Sequence, residues 1–484
     1  MSHFNSQEQT IYRSLAGQIQ LGFFDDGERF PSVQDIARRY QVSSCPAQRA
    51  LKALEREGLV KLCRGKPTVV LKKPYQDYLK SPVFQRRIAA LADLFKTLKL
   101  ISSSICFQGL CCMERPIPAG PLAEEQTCTD QVKCLYRLFD QAIQALGSRI
   151  VRSLYYDIGA FAGSAFQDIL YAMYGDEKAE RYWKRLFQCL LESLRDCQEH
   201  RYDAGKKRLE NIEHAFYDDL EQYLDGLRAA CEDDKQISFS WEPHKGRARY
   251  YDAVAIDLIR KIGQGVYPAG AYLPNGAVLA DIYHVSEMTV RRTIALLNKL
   301  GVVKTRNGLG TCVVGVDTSV SGKIKSLMMD ENFITFLEAL QLLAITGESV
   351  VFDTFPRCSA ESLDAIARAV SIKEQNASVV ATISACLQAV VHHAPLAAVR
   401  EIYGKITLLL LDGSVLQFNQ IGGEPALDCA GILQTLAESL KTGDGRRFAA
   451  AFRELVHINF ALMRKKLLET GVAGVDAIKL PRRI

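Results

Sequence analysis

The chain repeats itself, and that repeat limits its fold more than any other feature of the 484 residues. Leu15 to Val70 aligns with Leu258 to Val313 without a gap, at a constant offset of 243 residues. The coincident positions are structural punctuation: Gly22 with Gly265, Gly27 with Gly270, Pro31 with Pro274, Gly58 with Gly301 and Gly65 with Gly308. Val42–Ser43 falls on Val285–Ser286, Arg49 on Arg292 and Thr68 on Thr311. Turn and cap residues fix local backbone geometry, so a register that keeps them predicts the same supersecondary unit twice. The offset is close to half the chain, and weaker echoes follow each unit. Phe139 to Ile158 resembles Leu387 to Ile406, Glu192 to Asp196 resembles Glu438 to Asp444, and His214 and His457 again differ by 243. Two copies of one longer unit, joined head to tail, is the reading these positions support.

The second copy shows what the unit is. Val254, Leu258 and Ile262 recur every four residues, the apolar face of a helix, which Gly263 and Gly265 are suited to end. After a loop with Pro268 and Gly270, Asn275 can cap a second helix and Ser286 a third, which stops at Gly301. Val303 and Lys304 then open a strand, Arg306 to Gly310 forms the turn, and Thr311 to Gly315 returns. Three short helices and a β-hairpin make a winged helix-turn-helix. The expected fold is mainly α. It has winged helix-turn-helix domains at 5–75 and 248–316, each followed by an all-helical domain, at 83–237 and 322–475. Lys72 to Pro82 joins the first pair, and Ser238 to Tyr250 links the halves.

Composition narrows the function. A hydrophobic share of 48% with 24% charged residues is that of a globular protein rather than a disordered one. The net charge of +5 permits a nucleic-acid partner without requiring one, so local patches must carry that argument. The 14 cysteines are spread singly over apolar patterns, without the paired spacing of zinc ligands, and are read as reduced, buried side chains. The longest candidate apolar run, Ile406 to Leu411, is far short of a membrane span, and the N-terminus does not look like a secretory signal. A cytoplasmic protein with no membrane partner is expected. No elbow, phosphate loop, zinc-protease or dinucleotide motif occurs, so no enzyme and no cofactor are expected.

In a winged helix-turn-helix the third helix enters the major groove and its first-turn side chains meet base edges, while the hairpin follows the backbone. In the second copy that face holds Asn275, Ser286, Glu287, Thr289, Arg291 and Arg292, with Arg306, Asn307 and Gly308 at the wing. In the first it holds Ser32, Gln34, Ser43, Ser44, Gln48 and Arg49, with Arg64, Gly65 and Lys66 at the wing. Lys299 is placed to meet phosphate.

Both modules resemble the GntR family of bacterial regulators, whose motif runs approximately LPSERELA…VSRTTVRRAL…GLIxxxxGxGTFV. Here it reads LPNGAVLADIYHVSEMTVRRTIALLNKLGVVKTRNGLGTCVV and FPSVQDIARRYQVSSCPAQRALKALEREGLVKLCRGKPTVV. The family's first recognition-helix arginine is Ser44 in one copy and Glu287 in the other. Glu287 would repel phosphate or accept a hydrogen bond from cytosine N4. Cys45 to Gln48 replaces the following TTVR in the first copy, so Ala47 and Gln48 are expected to leave that face short and uncharged. The second copy is thus expected to own the better recognition helix and the first the more basic wing.

The helical regions resemble the FCD/FadR-type effector domain of the same family, in which many members hold a carboxylate through a metal. The family's aspartate falls here on Tyr136 and Ser384, and the histidine after the aromatic on Asp140 and Gln388, so no metal site is expected. His392 and His393 are expected to pack or face solvent. The resemblance implies a DNA-binding regulator, read as a repressor, with double-stranded operator DNA as partner and room for a small organic effector. The fused chain would be a pseudo-dimer, open to further homodimerisation. The competing expectation is a scaffold protein whose winged helices bind proteins.

Overall fold

A computed structural model describes residues 24–40, 42–63, 65–71, 82–113, 128–162, 165–228, 238–241, 250–263, 265–283, 285–306, 308–314, 330–410 and 429–483. It also describes isolated positions between 8 and 19, and 79 and 243. The chain divides into two compact units, one of residues 1–246 with 395–401 and 481–484, the other of residues 247–394 with 402–480.

Unit one opens with helices α1 (Val33–Tyr40) and α2 (Ser44–Arg56) and strands β1 (Val60–Lys61) and β2 (Val69–Val70). Their core gathers Leu15, Phe30, Ile36, Leu51, Leu54, Val60 and Val70. Helices α3 (Ile88–Cys111), α4 (Cys128–Ala145), α5 (Arg149–Ala162), α6 (Ala165–Tyr174), α7 (Asp176–Gln198) and α8 (Tyr202–Arg228) follow as an all-helical domain. Its core is aromatic and aliphatic, with Phe95, Phe107, Trp183, Leu190, Leu209 and Leu220 at its centre. Asp196, buried at the end of α7, receives both Arg201 at 2.8 Å and Arg208 at 3.1 Å, which fixes the reversal into α8.

Unit two repeats the plan: α9 (Tyr250–Gly263), α10 (Gly276–Ile282), α11 (Glu287–Leu300), β3 (Val303–Arg306) and β4 (Gly310–Val313). Then come α12 (Asp330–Thr354), α13 (Ala360–Val370), α14 (Gln375–His393), α15 (Ala397–Leu410, of which 397–401 count with unit one), α16 (Ala430–Thr442) and α17 (Gly445–Glu469). The duplication is visible in single hydrogen bonds. Gly27 N–H donates to Val70 O at 2.9 Å and Phe30 N–H to Thr68 O at 2.7 Å; at the same offset Gly270 donates to Val313 O at 2.8 Å and Leu273 to Thr311 O at 2.9 Å. Helix limits agree too. Helices α3 and α12 both end at positions 243 apart, and α8 and α17 both begin so, whereas α4–α5 and α14–α15 run at an offset of 248, that of the weaker echo.

Two points of packing stand out. Helix α12 is buried almost all round, and between Phe333 and Arg357 an 18-residue stretch has mean hydropathy 1.4, apolar enough to cross a membrane, with 89% of it buried in the protein. An uninterrupted apolar run misses such a helix because Thr335, Glu338, Gln341 and Thr346 punctuate it, each buried in the core. The equivalent histidines also part company. His457 is buried, with Nε2 3.2 Å from Ala344 O, while His214 is exposed on α8.

Candidate nucleic-acid interface

The second reading helix is set by its caps. Asn275 Oδ1 accepts from Val278 N at 3.0 Å and starts α10. Ser286 Oγ accepts from Thr289 N at 3.2 Å and starts α11, which ends on Gly301 at φ 80°, where a side chain would be strained. Val290, Thr293, Leu297 and Leu300 face the core, so the helical period turns Glu287, Met288, Arg291 and Arg292 outward in the first two turns. Arg291 Nη2 lies 3.9 Å from Glu287 Oε2, with both side chains largely exposed at 75% and 61%. Such a pair is worth little in water, and Arg291 stays available to another partner. Thr289 is half-buried, and its hydroxyl shares the cap with that of Ser286 at 2.9 Å. Its place is therefore that of a helix-start residue more than an outward reader.

The wing is tied to this helix. Asn298 donates to Thr305 Oγ1 at 2.8 Å and accepts from Thr305 N at 2.9 Å. Strands β3 and β4 pair antiparallel from Val303↔Val313 to Arg306↔Gly310, which carries Arg306 and Gly308 out beside the reading helix. Asn307 lies outside the described residues. Two exposed apolar side chains were not singled out from the sequence: Met288 on the reading helix, 56% exposed, and Leu309 at the wing turn, 65% exposed. The signal for Met288 was an apolar residue where the helical period points away from the core, and for Leu309 an apolar residue within a turn. Exposed Lys299 and Lys304 complete the basic side chains of this face.

The first module shares the frame and differs at its surface. Ser32 and Asp35 cap α1 reciprocally: Ser32 Oγ donates to Asp35 Oδ2 at 2.6 Å and accepts from Asp35 N at 3.2 Å. The Ser32 hydroxyl and the Ser32 N–H, both donating to Asp35 Oδ2, hold the Asp35 carboxyl below its usual range. Ser32 thus serves the helix start, and Gln34 is exposed two residues along. Ser43 makes no side-chain cap bond to α2. Ser44, Cys45, Gln48 and Arg49 are exposed, and Arg49 Nη1 sits 3.8 Å from the buried Glu8 carboxylate. Ala47 is fully buried, so it belongs to the core like its counterpart Val290 and does not shorten the reading face. The strands of this wing are two residues each against four in the second module. Gly65 and Lys66 are exposed at its turn; Arg64 lies outside the described residues. Leu62 N–H donates to Glu55 Oε1 at 2.9 Å, the same helix-to-wing tie that Asn298 makes to Thr305.

Among the described residues no group of three or more His, Cys, Asp or Glu is placed to hold a metal ion. Where the resemblance would put ligands, Tyr136 is buried and Asp140 accepts from Tyr156 Oη at 2.9 Å.

Residues 7–70 and 250–313 both match the family described as "Bacterial regulatory proteins, gntR family". A 59-residue stretch, 12% of the chain, is 43% identical to an uncharacterised HTH-type transcriptional regulator of Streptomyces coelicolor and covers 22% of it. A 66-residue stretch, 14% of the chain, is 42% identical to the Exu regulon transcriptional regulator of Escherichia coli and covers 26% of it. The chain thus spans about a quarter of the length of these curated relatives. Among solved structures, Streptococcus agalactiae GntR is 15% identical over 44% of this chain and 99% of its own, with a TM-score of 0.20.

Proposed function

From the premise that this chain carries two winged helix-turn-helix domains of the gntR family, at 7–70 and 250–313, we propose that it is a sequence-specific transcription regulator. In this reading it is a cytoplasmic repressor that holds both DNA-reading modules in one chain. The observation that carries it is the capped helix α11, which turns Glu287, Met288, Arg291 and Arg292 outward beside a wing bearing Arg306. An arginine in the first turns of such a helix can bridge guanine O6 and N7, and an apolar side chain can meet the thymine methyl.

The two faces differ in charge and length, so the modules read unlike half-sites. The second supplies most base contacts and the first, with Arg49, Lys66 and a short wing, mostly backbone contacts. Linking both in one chain raises the effective concentration of the second module once the first has bound. The helical domains carry the response to a small effector and any further pairing of chains.

The test is binding of the full chain to promoter DNA around its own gene across a salt series. A specific complex whose affinity falls steeply with salt supports the regulator, since phosphate neutralisation releases counterions. Binding that is absent, or equal on unrelated DNA, contradicts it.

A further inference from the structure

A cavity of about 160 Å³ lies within the first helical domain, between α3, α4, α5, α7 and α8. Its walls are rings and aliphatic side chains; Phe95, Tyr136, Tyr155, Trp183 and Phe216 are among them. Among the described residues one carboxyl group lines it, that of Glu213, which is only 6% exposed. The Ser102 hydroxyl donates to Glu213, and Ser102 Oγ lies 3.3 Å from Tyr217 Oη. Tyr182, also on the wall, keeps a buried hydroxyl with no hydrogen-bond partner among the described residues. Among the described residues no lysine, arginine or histidine lines the cavity.

Those observations select the ligand's chemistry. An apolar cavity of similar size, about 150 Å³, takes up benzene, so the volume suits one small ring or an equivalent aliphatic body. A carboxylate ligand would meet Glu213 without any cation to offset it, and would pay desolvation twice over. A protonated amine gains from both features of the wall, the carboxyl group and the faces of the surrounding rings. We propose that this cavity binds a small primary amine, its ammonium on Glu213 and its apolar body of about benzene size among the rings. The site belongs to the first half alone. At the positions equivalent to Ser102, Glu213 and Tyr217 the second half has Ile345, Val456 and Phe460, all buried and apolar. The proposal rests on the reading of this domain as the effector domain.

Burial pushes the Glu213 carboxyl up to about 7, with Ser102 opposing that shift. The titratable groups facing it are Cys106 on α3, Tyr182 and Cys189 on α7, and Glu210 and Tyr217 on its own helix; none adds positive charge. An ammonium ligand therefore takes the ionised form and binds more tightly as pH rises through 7, with the gain levelling off above it.

The test is isothermal titration of the full chain with 2-phenylethylamine, propylbenzene and 3-phenylpropionate. The expected result is one phenylethylamine per chain, bound roughly tenfold tighter at pH 8 than at pH 6, as a titrating acid near 7 requires. Both other probes should bind at least tenfold more weakly. Glu213→Gln should lose at least tenfold for the amine and little for propylbenzene, and Glu213→Asp should retain a preference for the amine. Equal or tighter binding of propylbenzene or phenylpropionate overturns the amine assignment, as does an unchanged amine affinity in Glu213→Gln. Binding of none of the three overturns the ligand site itself. If the amine binds as expected but leaves the chain's affinity for its promoter DNA unchanged, the site stands and the effector reading fails.

Discussion

Arg291 and Glu213 are the two residues on which most of the account turns. Arg291 is solvent-exposed with only a weak surface partner, so Arg291→Ala should leave the fold untouched. It should lower discrimination between the best site and one altered at the contacted base pair by ~1–3 kcal/mol. Competition binding with single-base variants measures this, and an unchanged preference removes Arg291 from base reading. Glu213 bears on stability. Its folded pKa is raised to about 7 from 4.5. The folded state then holds a proton that the unfolded chain releases, so stability falls as pH rises from about 4.5 to 7 and the loss is complete above that. The size is about 3 kcal/mol for a shift of this order. Glu213→Gln should flatten that decline in chemical unfolding and be the more stable protein at pH 8; parallel pH profiles would count against it. Neither the acid's role nor the cavity was legible in the sequence. On a helix of mixed charge, Glu213 reads as one more solvated carboxylate, and only packing against α3 and α7 shows otherwise.

Caps separate the two reading helices at the level of elements. Asn275 and Ser286 each accept a backbone N–H at the start of their helices, whereas Ser43 does not. Substituting alanine for Asn275 or Ser286 should cost about 1 kcal/mol of stability in the module that carries it, while Ser43→Ala should change it by less than about 0.5 kcal/mol. Thermal unfolding of the three variants checks this, and equal losses would contradict the difference. These elements were legible because glycine, proline and cap residues encode backbone geometry locally. Gly301 at positive φ, the Asn275 and Ser286 caps and the Thr311 return strand all stand where the pattern put them. Orientation was less legible. Ala47 falls on the expected reading face, but the helix buries it, while the same period exposes the apolar Met288. The helix α12 escaped a search for apolar runs because its buried polar residues bond within the core. Thr346 Oγ1, for example, lies 2.9 Å from Tyr403 Oη.

For the molecule as a whole, duplication in one chain frees each module to change without its twin. A homodimer of identical chains meets identical half-sites; this chain need not. The surfaces have diverged as that freedom allows, while hydrogen bonds such as Gly27 to Val70 and Gly270 to Val313 have not. The cavity proposed as a ligand site has diverged too, with an acid, Glu213, in one half and Val456 at the equivalent place in the other. Lys66→Ala should weaken binding by a similar factor on all DNA and make the salt dependence shallower by about one unit, as loss of one phosphate contact does. A change confined to one sequence would show that the first wing reads bases.

The central claim is that two unlike modules in one chain read one asymmetric operator. It is tested most directly by genome-wide footprinting, followed by competition between the recovered site and two palindromes, each built by doubling one half-site. The account predicts that the recovered site is asymmetric and that the full chain binds it at least tenfold more tightly than either palindrome, a difference of about 1.4 kcal/mol. A palindrome bound as tightly as the recovered site would contradict it.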